Sequence, residues 1–389
     1  MKRLVSYSTL VFLIILLNDI AASTACIHGR VIDQTTKQPI PNANIYLANT
    51  SIGTITNSEG YFELKKIPKG TFDIIFSHVS YYYQKERRLL NHMYNDIGTI
   101  ELSTKAYQLP MVLVEGEEES LWNDQYEYFI EEFIGENENA DSTYIVDPYK
   151  IDFWENDGKL FASCDDPIEI INKSLGYRIK YFLDYFEASS EYTKFSGNSV
   201  FTPLSSNSKM DSVKWLGNRD ETYFGSFRHF ITVLNESYST YLALPESYNY
   251  SFNIDSLSTK GDSFLNSNGF FIYKVFALPW ESPRLIVDEP ISIKGLLSRG
   301  KIETERYLNI SNYLRIYFIP NYNEEDYPFN FNIKNARGVQ SSFIELAQDS
   351  IMIDILGRYY DKFGIHTYGK FGRERISNML PYEYVYNSK

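Results

Sequence analysis

From Ile27 onward the chain alternates apolar and polar positions in short runs broken by turn residues. Ile27–Asp33 sets Ile27, Gly29 and Val31 on one side. Asn44–Leu47 follows a polar turn at Gln34–Pro39. Ile52–Thr56 and Tyr61–Leu64 read as the arms of a hairpin around Asn57-Ser-Glu-Gly60, where Asn57 accepts a backbone bond and Gly60 supplies positive φ. Phe62 and Leu64 share one face, and Phe72, Ile74 and Phe76 alternate inward beyond the turn at Pro68-Lys-Gly70. Ile97–Leu102 returns as a late strand. Short strands with turns at this spacing predict a β-sandwich.

The pattern changes after Pro110 and the apolar Met111–Val114. Residues 115–138 carry ten acidic side chains and no basic one. Leu121, Trp122, Tyr126, Phe129, Ile130 and Phe133 recur there at helical spacing, with Ser120 as the expected cap and Gly135 as the expected stop. This predicts an amphipathic helix with an aromatic face and an acidic one. The acidic face is either a docking surface for a basic partner or, as charge runs usually are, a solvated outer face. Strands are expected next at Ile151–Trp154, Lys159–Ala162, Ile168–Asn172 and Tyr177–Glu187, with a tight turn at Asn156-Asp-Gly158. A helix is expected near 212–236, strands again from Tyr248 to Ile355, and a short helix over Gly372–Leu380 stopped by Pro381. No fixed-period repeat is visible.

The stretch from Ile27 to about residue 103 carries G-x-V-x-D, then Pro39-Ile40-Pro41-Asn42-Ala43, then Gly53-Thr54-x-Thr56-Asn57-x-x-Gly60-x-Phe62. In these motifs it resembles the carboxypeptidase regulatory-like domain. The resemblance implies a seven-stranded transthyretin-like β-sandwich, a module that accompanies some metallocarboxypeptidases without carrying their active site. It also implies the setting in which such modules open many envelope proteins of Bacteroidota-type bacteria, outer-membrane receptors among them. The remainder resembles the region that follows this module in a group of those envelope proteins. The matching pieces include Asn172-Lys-x-Leu175-Gly176-Tyr177, Asn218-Arg219-x-x-x-Tyr223-x-Gly225-Ser226-x-Arg228-His229-Phe230 and Gly372-x-x-Arg375. That second resemblance supplies no activity.

Lys2 and Arg3 precede an apolar run from Leu10 to Leu17 and a small-residue stretch, Ala21-Ala-Ser-Thr-Ala25. This is the pattern of a secretory signal over residues 1–25, too short in its apolar core for the ~20 residues that span a bilayer. Cleavage near Ser23 or Ala25 is the favoured processing, and lipidation of Cys26 is the alternative. No transmembrane helix is expected in the mature chain, which is placed in the periplasm, at the outer membrane or at the cell surface. Cys26 and Cys164 are the only cysteines. An oxidising compartment permits a disulfide between them but the spacing does not demand one, and a buried free thiol is the expected state of Cys164.

The 43% hydrophobic and 22% charged residues are those of a folded protein of two or three domains. Tyr and Phe make up most of the 16% aromatic content. Strand propensity accounts for that enrichment, with a sugar-stacking surface as the sharper reading. Without the signal the chain keeps 35 basic and 49 acidic residues, which argues against nucleic acid as a partner. None of the five histidines begins H-x-x-E, so no zinc carboxypeptidase site accompanies the module, and no metal or cofactor is expected. Asp33, Asn57 and Glu59 lack calcium-loop spacing and read as turn residues.

The best candidate chemistry is Arg219, Tyr223, Ser226, Arg228 and His229, which fall within three helical turns. A cationic patch with a hydroxyl and an imidazole suits an anionic ligand; the plainer reading is an arginine network joining helix to sheet. A hydrolase would need His229 as base to Ser226, and an i, i+3 pair on one helix is a poor triad. Asp165-Asp166-Pro167 reads as a turn rather than a catalytic dyad. The expected layout is therefore a signal (1–25), a sandwich (26–114), an acidic helix and connector (115–147) and a family-specific, mostly β α+β domain (148–389). The expected role is non-enzymatic: a binding, scaffold or accessory module of the envelope whose partner is a protein or a glycan. The alternative is an envelope hydrolase of peptide or glycan using the Arg219–His229 region.

Overall fold

The computed structural model describes residues 24–105, 117–206, 208–242, 262–281, 289–323, 333, 337–384 and 386. The expected signal lies outside the described residues up to residue 23, as do Met111–Val114. The chain divides into two compact units, Met1–Pro110 and Met111–Lys389.

The first unit holds β1 (Ala25–Asp33), β2 (Asn44–Leu47), β3 (Gly53–Ile55), β4 (Tyr61–Ile67), β5 (Gly70–His78), β6 (Tyr81–Leu90) and β7 (Tyr94–Leu102). They form two sheets, β4-β1-β7 and β3-β2-β5-β6. Of the positions the alternation sets inward, all but the half-buried Gly29 lie in the core, which also takes in Ile45 and Leu47 of β2. Ile27, Val31, Phe62 and Leu64 of one sheet and Ile45, Leu47, Phe72, Ile74 and Phe76 of the other are all buried. The Phe62 and Phe76 rings meet edge to face across the interior at 5.8 Å.

The expected hairpin at Asn57–Gly60 is instead a corner between sheets. β3 pairs with β2, whereas β4 pairs with β1. The turn chemistry is as read: Asn57 Oδ1 accepts the amides of Glu59 and Tyr61 at 3.0 and 2.9 Å, and Gly60 has φ +78°. What the alternation did not carry is the buried Thr56. Its hydroxyl donates to the Ile40 carbonyl at 2.6 Å and accepts the Ala43 amide at 2.8 Å, ending β3 before it can pair with β4.

The second unit begins with α1 (Glu117–Phe133), followed by β8 (Thr143–Ile145), β9 (Asp152–Asn156), β10 (Lys159–Ser163), β11 (Ile168–Asn172), β12 (Tyr177–Ala188) and β13 (Thr193–Pro203). Then come α2 (Lys209–Tyr223), α3 (Phe227–Leu242), β14 (Phe270–Val275), β15 (Glu289–Pro290), β16 (Leu297–Arg299), β17 (Glu305–Leu308), β18 (Tyr313–Phe318), β19 (Gln340–Leu346), β20 (Ile351–Asp354) and β21 (Ile365–Gly369). β8 to β13 make a six-stranded sheet, β15-β14-β18-β19-β21 a second sheet and β16-β17-β20 a third. Phe129 and Phe133 of α1, both 0% exposed, seat the helix on the six-stranded sheet beside Phe186 and Tyr181. Phe230, Ile231 and Leu234 of α3 share a separate core with β14, β18 and β20.

β12 carries the device that sorts the two faces of its sheet. Tyr177, Ile179, Tyr181 and Leu183 point into the α1 core, and so do Phe186 and Ala188. The switch from odd to even positions is made by a bulge between Leu183 and Tyr185. It turns Tyr185 and Glu187 to the opposite face.

Three local expectations are corrected. Ser120 lies inside α1 rather than capping it; Gly135, with φ +96°, does end the helix, its amide donating to the Ile130 carbonyl. The helix near 212–236 is two helices, α2 and α3, parted at Phe224–Ser226 because Gly225 has φ +78° and Ser226 starts the next helix. Gly372–Leu380 is two 3₁₀ turns, Phe371–Arg373 and Ile376–Asn378, separated where Arg375 is extended. A Cβ at Gly225 would sit 2.5 Å from the Phe318 ring, in a backbone region that costs side-chain-bearing residues. Gly225→Ala is expected to lose roughly 1–3 kcal/mol, measured as a lower urea midpoint at unchanged m-value.

Candidate functional site

The five residues singled out in the sequence gather where α2 breaks into α3, and they are spent on holding the fold. Arg219 donates from Nε to the Leu175 carbonyl at 2.7 Å and lies 4.0 Å over the Tyr177 ring, so it ties α2 to the loop entering β12. Tyr223 is buried in the α1 core. Ser226 Oγ accepts the His229 amide at 3.1 Å, the geometry of a helix N-cap. His229 is 6% exposed, and its Nδ1 accepts the Gly225 amide at 3.0 Å. Burial among Tyr223, Phe224, Phe270 and Phe318 pushes its pKa down to about 4, so the ring is neutral at pH 7. Ser226 Oγ and His229 Nδ1 thus each face a backbone amide and not one another.

Arg228 is the hub of this region. Nε donates to the Leu356 carbonyl at 3.1 Å, Nη1 to Pro381 at 2.8 Å, and Nη2 to Tyr382 at 2.5 Å and Tyr384 at 3.0 Å. Tyr223 and Tyr382 flank the guanidinium, each with its ring centre 5.4 Å away. Desolvation lowers its pKa, and four carbonyl dipoles supply the compensation that water would give. Beside it, the Glu374 carboxyl accepts the Phe227 amide at 2.8 Å, and burial raises its pKa to about 7.

Cys26 and Cys164 are buried free thiols, with no disulfide between them. Cys164 Sγ donates to the Lys150 carbonyl at 3.2 Å, and burial pushes its thiol up to about 11. Cys26 lies in β1, where its amide donates to the Met93 carbonyl at 2.8 Å and its sulfur faces Glu63 Oε1 at 3.6 Å. A lipid on that sulfur would have to leave the buried side of the strand. Asp33 Oδ1 accepts the Thr35 and Thr36 amides, the turn role expected for it. No group of three metal-ligating side chains occurs among the described residues.

The candidate residues of the sequence do not include a different surface, the face of the six-stranded sheet turned away from α1. The two-residue turn Asp157-Gly158, with φ +50° and +71°, fixes the β9–β10 register and sets Trp154 opposite Phe161. Phe161 is in turn opposite Glu187 of β12, and Glu187 is opposite Lys194 of β13. One row across four strands therefore reads Trp154, Phe161, Glu187, Lys194. The Trp154 and Phe161 rings are stacked, 5.6 Å apart and 10° from parallel, and Trp154 remains 46% exposed. Glu187 accepts from Lys159 Nζ at 2.8 Å and from the hydroxyls of Tyr185 and Tyr192. Those three donors hold its pKa down to about 2, and the same carboxylate pushes Tyr185 up to about 12. The Asn156-Asp-Gly158 turn was the available signal, since counting back from it pairs Trp154 with Phe161. The bulge that turns Tyr185 and Glu187 to this face, where Glu187 is buried under its donors, has no comparable mark in the sequence.

Residues 27–114 match the family model of the CarboxypepD_reg-like domain. The CarboxypepD_reg-like match takes in β1 from Ile27 and all of β2 to β7. No curated protein matches the chain. Among solved structures, a type II cohesin–X-dockerin complex from Acetivibrio cellulolyticus is similar at 17% identity over 24% of this chain and 64% of that one, with a TM-score of 0.20. The major pilin subunit of Bacillus cereus is similar at 16% identity over 21% and 30%, with a TM-score of 0.18. A putative carbohydrate binding protein from Bacteroides uniformis is similar at 12% identity over 41% and 60%, also with a TM-score of 0.18. The chain spans less than two thirds of each of these. Among the described residues no helix is long and apolar enough to cross a membrane.

Two outcomes follow from the geometry. Arg228→Lys, which removes the planar fork, is expected to cost roughly 2–4 kcal/mol because several buried carbonyls lose their donor. Chemical denaturation measures it. Glu187 has a depressed folded pKa, so its stabilisation is full above the unfolded value of about 4.3 and disappears as pH falls toward about 2. The difference in unfolding free energy between wild type and Glu187→Gln should follow that window and be flat from pH 5 to 8.

Proposed function

We propose that this chain is an exported, non-enzymatic protein of the cell envelope that binds its partner through a preformed surface. In this reading residues 1–25 are a cleaved signal and 26–114 an accessory sandwich. Residues 115–147 are a connector with a solvated acidic face, and 148–389 carry the binding surface. The observation that supports it most is the pairing of Ser226 Oγ and His229 Nδ1 with backbone amides, which leaves the alternative hydrolase without a nucleophile–base contact. Arg228, the strongest cation of that cluster, is committed to carbonyls and so does not serve an anionic ligand. The sheet face around Trp154, by contrast, presents an exposed ring beside fixed hydrogen-bonding groups. The family match supports an accessory role for the sandwich.

Ser226→Ala should lose about 1 kcal/mol through the missing N-cap and change no turnover of peptidoglycan, envelope peptide or glycan. Product release that depends on Ser226 would overturn the non-enzymatic reading. Intact-mass analysis of the protein from its own cells is expected to give a mature chain beginning near Thr24 or Cys26 without added lipid. A diacyl or triacyl mass on Cys26 would replace this processing with membrane anchoring.

A further inference from the structure

We propose that the face of the six-stranded sheet around Trp154 is a site for a neutral saccharide; this rests on the binding role just given. The chemistry of the row supports it. A sugar ring offers an apolar C–H face and a rim of hydroxyls. Trp154 offers a flat, electron-rich surface of matching kind, and Phe161 behind it fixes the indole plane before any ligand arrives. Preorganisation of that sort lowers the entropic cost of binding.

The rim is met by the neighbouring strands. Strand spacing puts Glu187 about 10 Å from Trp154, two ladder steps away, so a ligand that touches both is longer than one ring. At that end Lys159 spends two protons on Glu187 and Tyr192, leaving its third as a donor beside the hydroxyls of Tyr185 and Tyr192. Tyr192 is itself exposed.

Charge selects among ligands. Lys159 is neutralised by Glu187, and Lys362 by Asp184, which lies on the bulge of the same strand. Lys194 sits 4.4 Å from the Phe363 ring centre, and Asp152 is exposed in the same face one position pair from Trp154. Positive and negative groups therefore balance along the row. A polyanion finds no basic stripe there and a polycation no acidic one, whereas an uncharged polyol finds donors and acceptors held in place.

Native gels of the full chain, cast with a mannan, a xyloglucan, a mixed-linkage β-glucan or a starch-type α-glucan, test the proposal. At least one should retard the protein. Trp154→Ala, with its far-UV circular dichroism unchanged, should bind about tenfold more weakly or worse, and Trp154→Phe should keep most of the retardation. Leu216→Ala, on the exposed side of α2, should behave as wild type. Four unretarded gels or an unaffected Trp154→Ala would each overturn the saccharide. A photo-crosslinker at Ser163, exposed on the same face, separates the sugar from the binding role. If the gels are negative and it traps an envelope protein in a Trp154-dependent way, the binding role survives without the sugar. If it traps nothing, both fall.

Discussion

One desolvated cation ties the start of α3 to the last described residues of the second unit. Arg228 leaves α3 one residue past its start and collects carbonyls from Leu356 and from Pro381, Tyr382 and Tyr384. Those groups lie 128 to 156 positions away in sequence. An arginine is needed because only a planar fork presents several donors at fixed angles, and only a permanent charge repays carbonyls for leaving water. The nearby Tyr384 hydroxyl, donating to Asp220, carries the tie across to α2. The break at Gly225 is what aims Arg228 at these partners, since a continuous helix would swing it with the turn of α2.

The start of α3 also sets two opposing proton equilibria side by side. His229 binds its proton less readily when folded, so between about pH 4 and 6.5 the unfolded chain takes up more and stability rises with pH. Glu374 does the reverse. Its folded pKa near 7 lies above the unfolded value of about 4.3, so the native state holds the extra proton and stability falls as pH rises through that interval. Over their shared range the two slopes have opposite sign. The two groups at the helix start therefore pull the pH dependence of stability in opposite directions.

Period-two alternation made the sandwich legible strand by strand, because Phe62, Leu64, Phe72, Ile74 and Phe76 each fill one side of a half-buried strand. It could not say which strands pair. β3 and β4 are parted by the side chain of Thr56, a tertiary contact that leaves no period in the sequence. In the second unit the aromatic stripe of α1 was legible, and so was the Asp157-Gly158 turn. The cluster from Arg219 to His229 stood out for its chemistry, yet those polar atoms meet carbonyls and amides that only the fold brings near. Trp154 drew no attention because its partners sit on other strands, and a lone Trp in a strand reads as core.

The bulge in β12 makes the protein's tolerance of sequence change uneven. On either side of Leu183–Tyr185 the same strand obeys opposite parity rules. A single-residue insertion or deletion within 177–188 would do more than shorten a strand. It would drive Glu187 and Tyr185 toward the phenylalanines of α1 and turn Phe186 and Ala188 out of that core, into the polar setting of Lys159 and Tyr192. Lineages carrying this fold should therefore vary the loops around β12 in length while holding the residue count of that strand fixed.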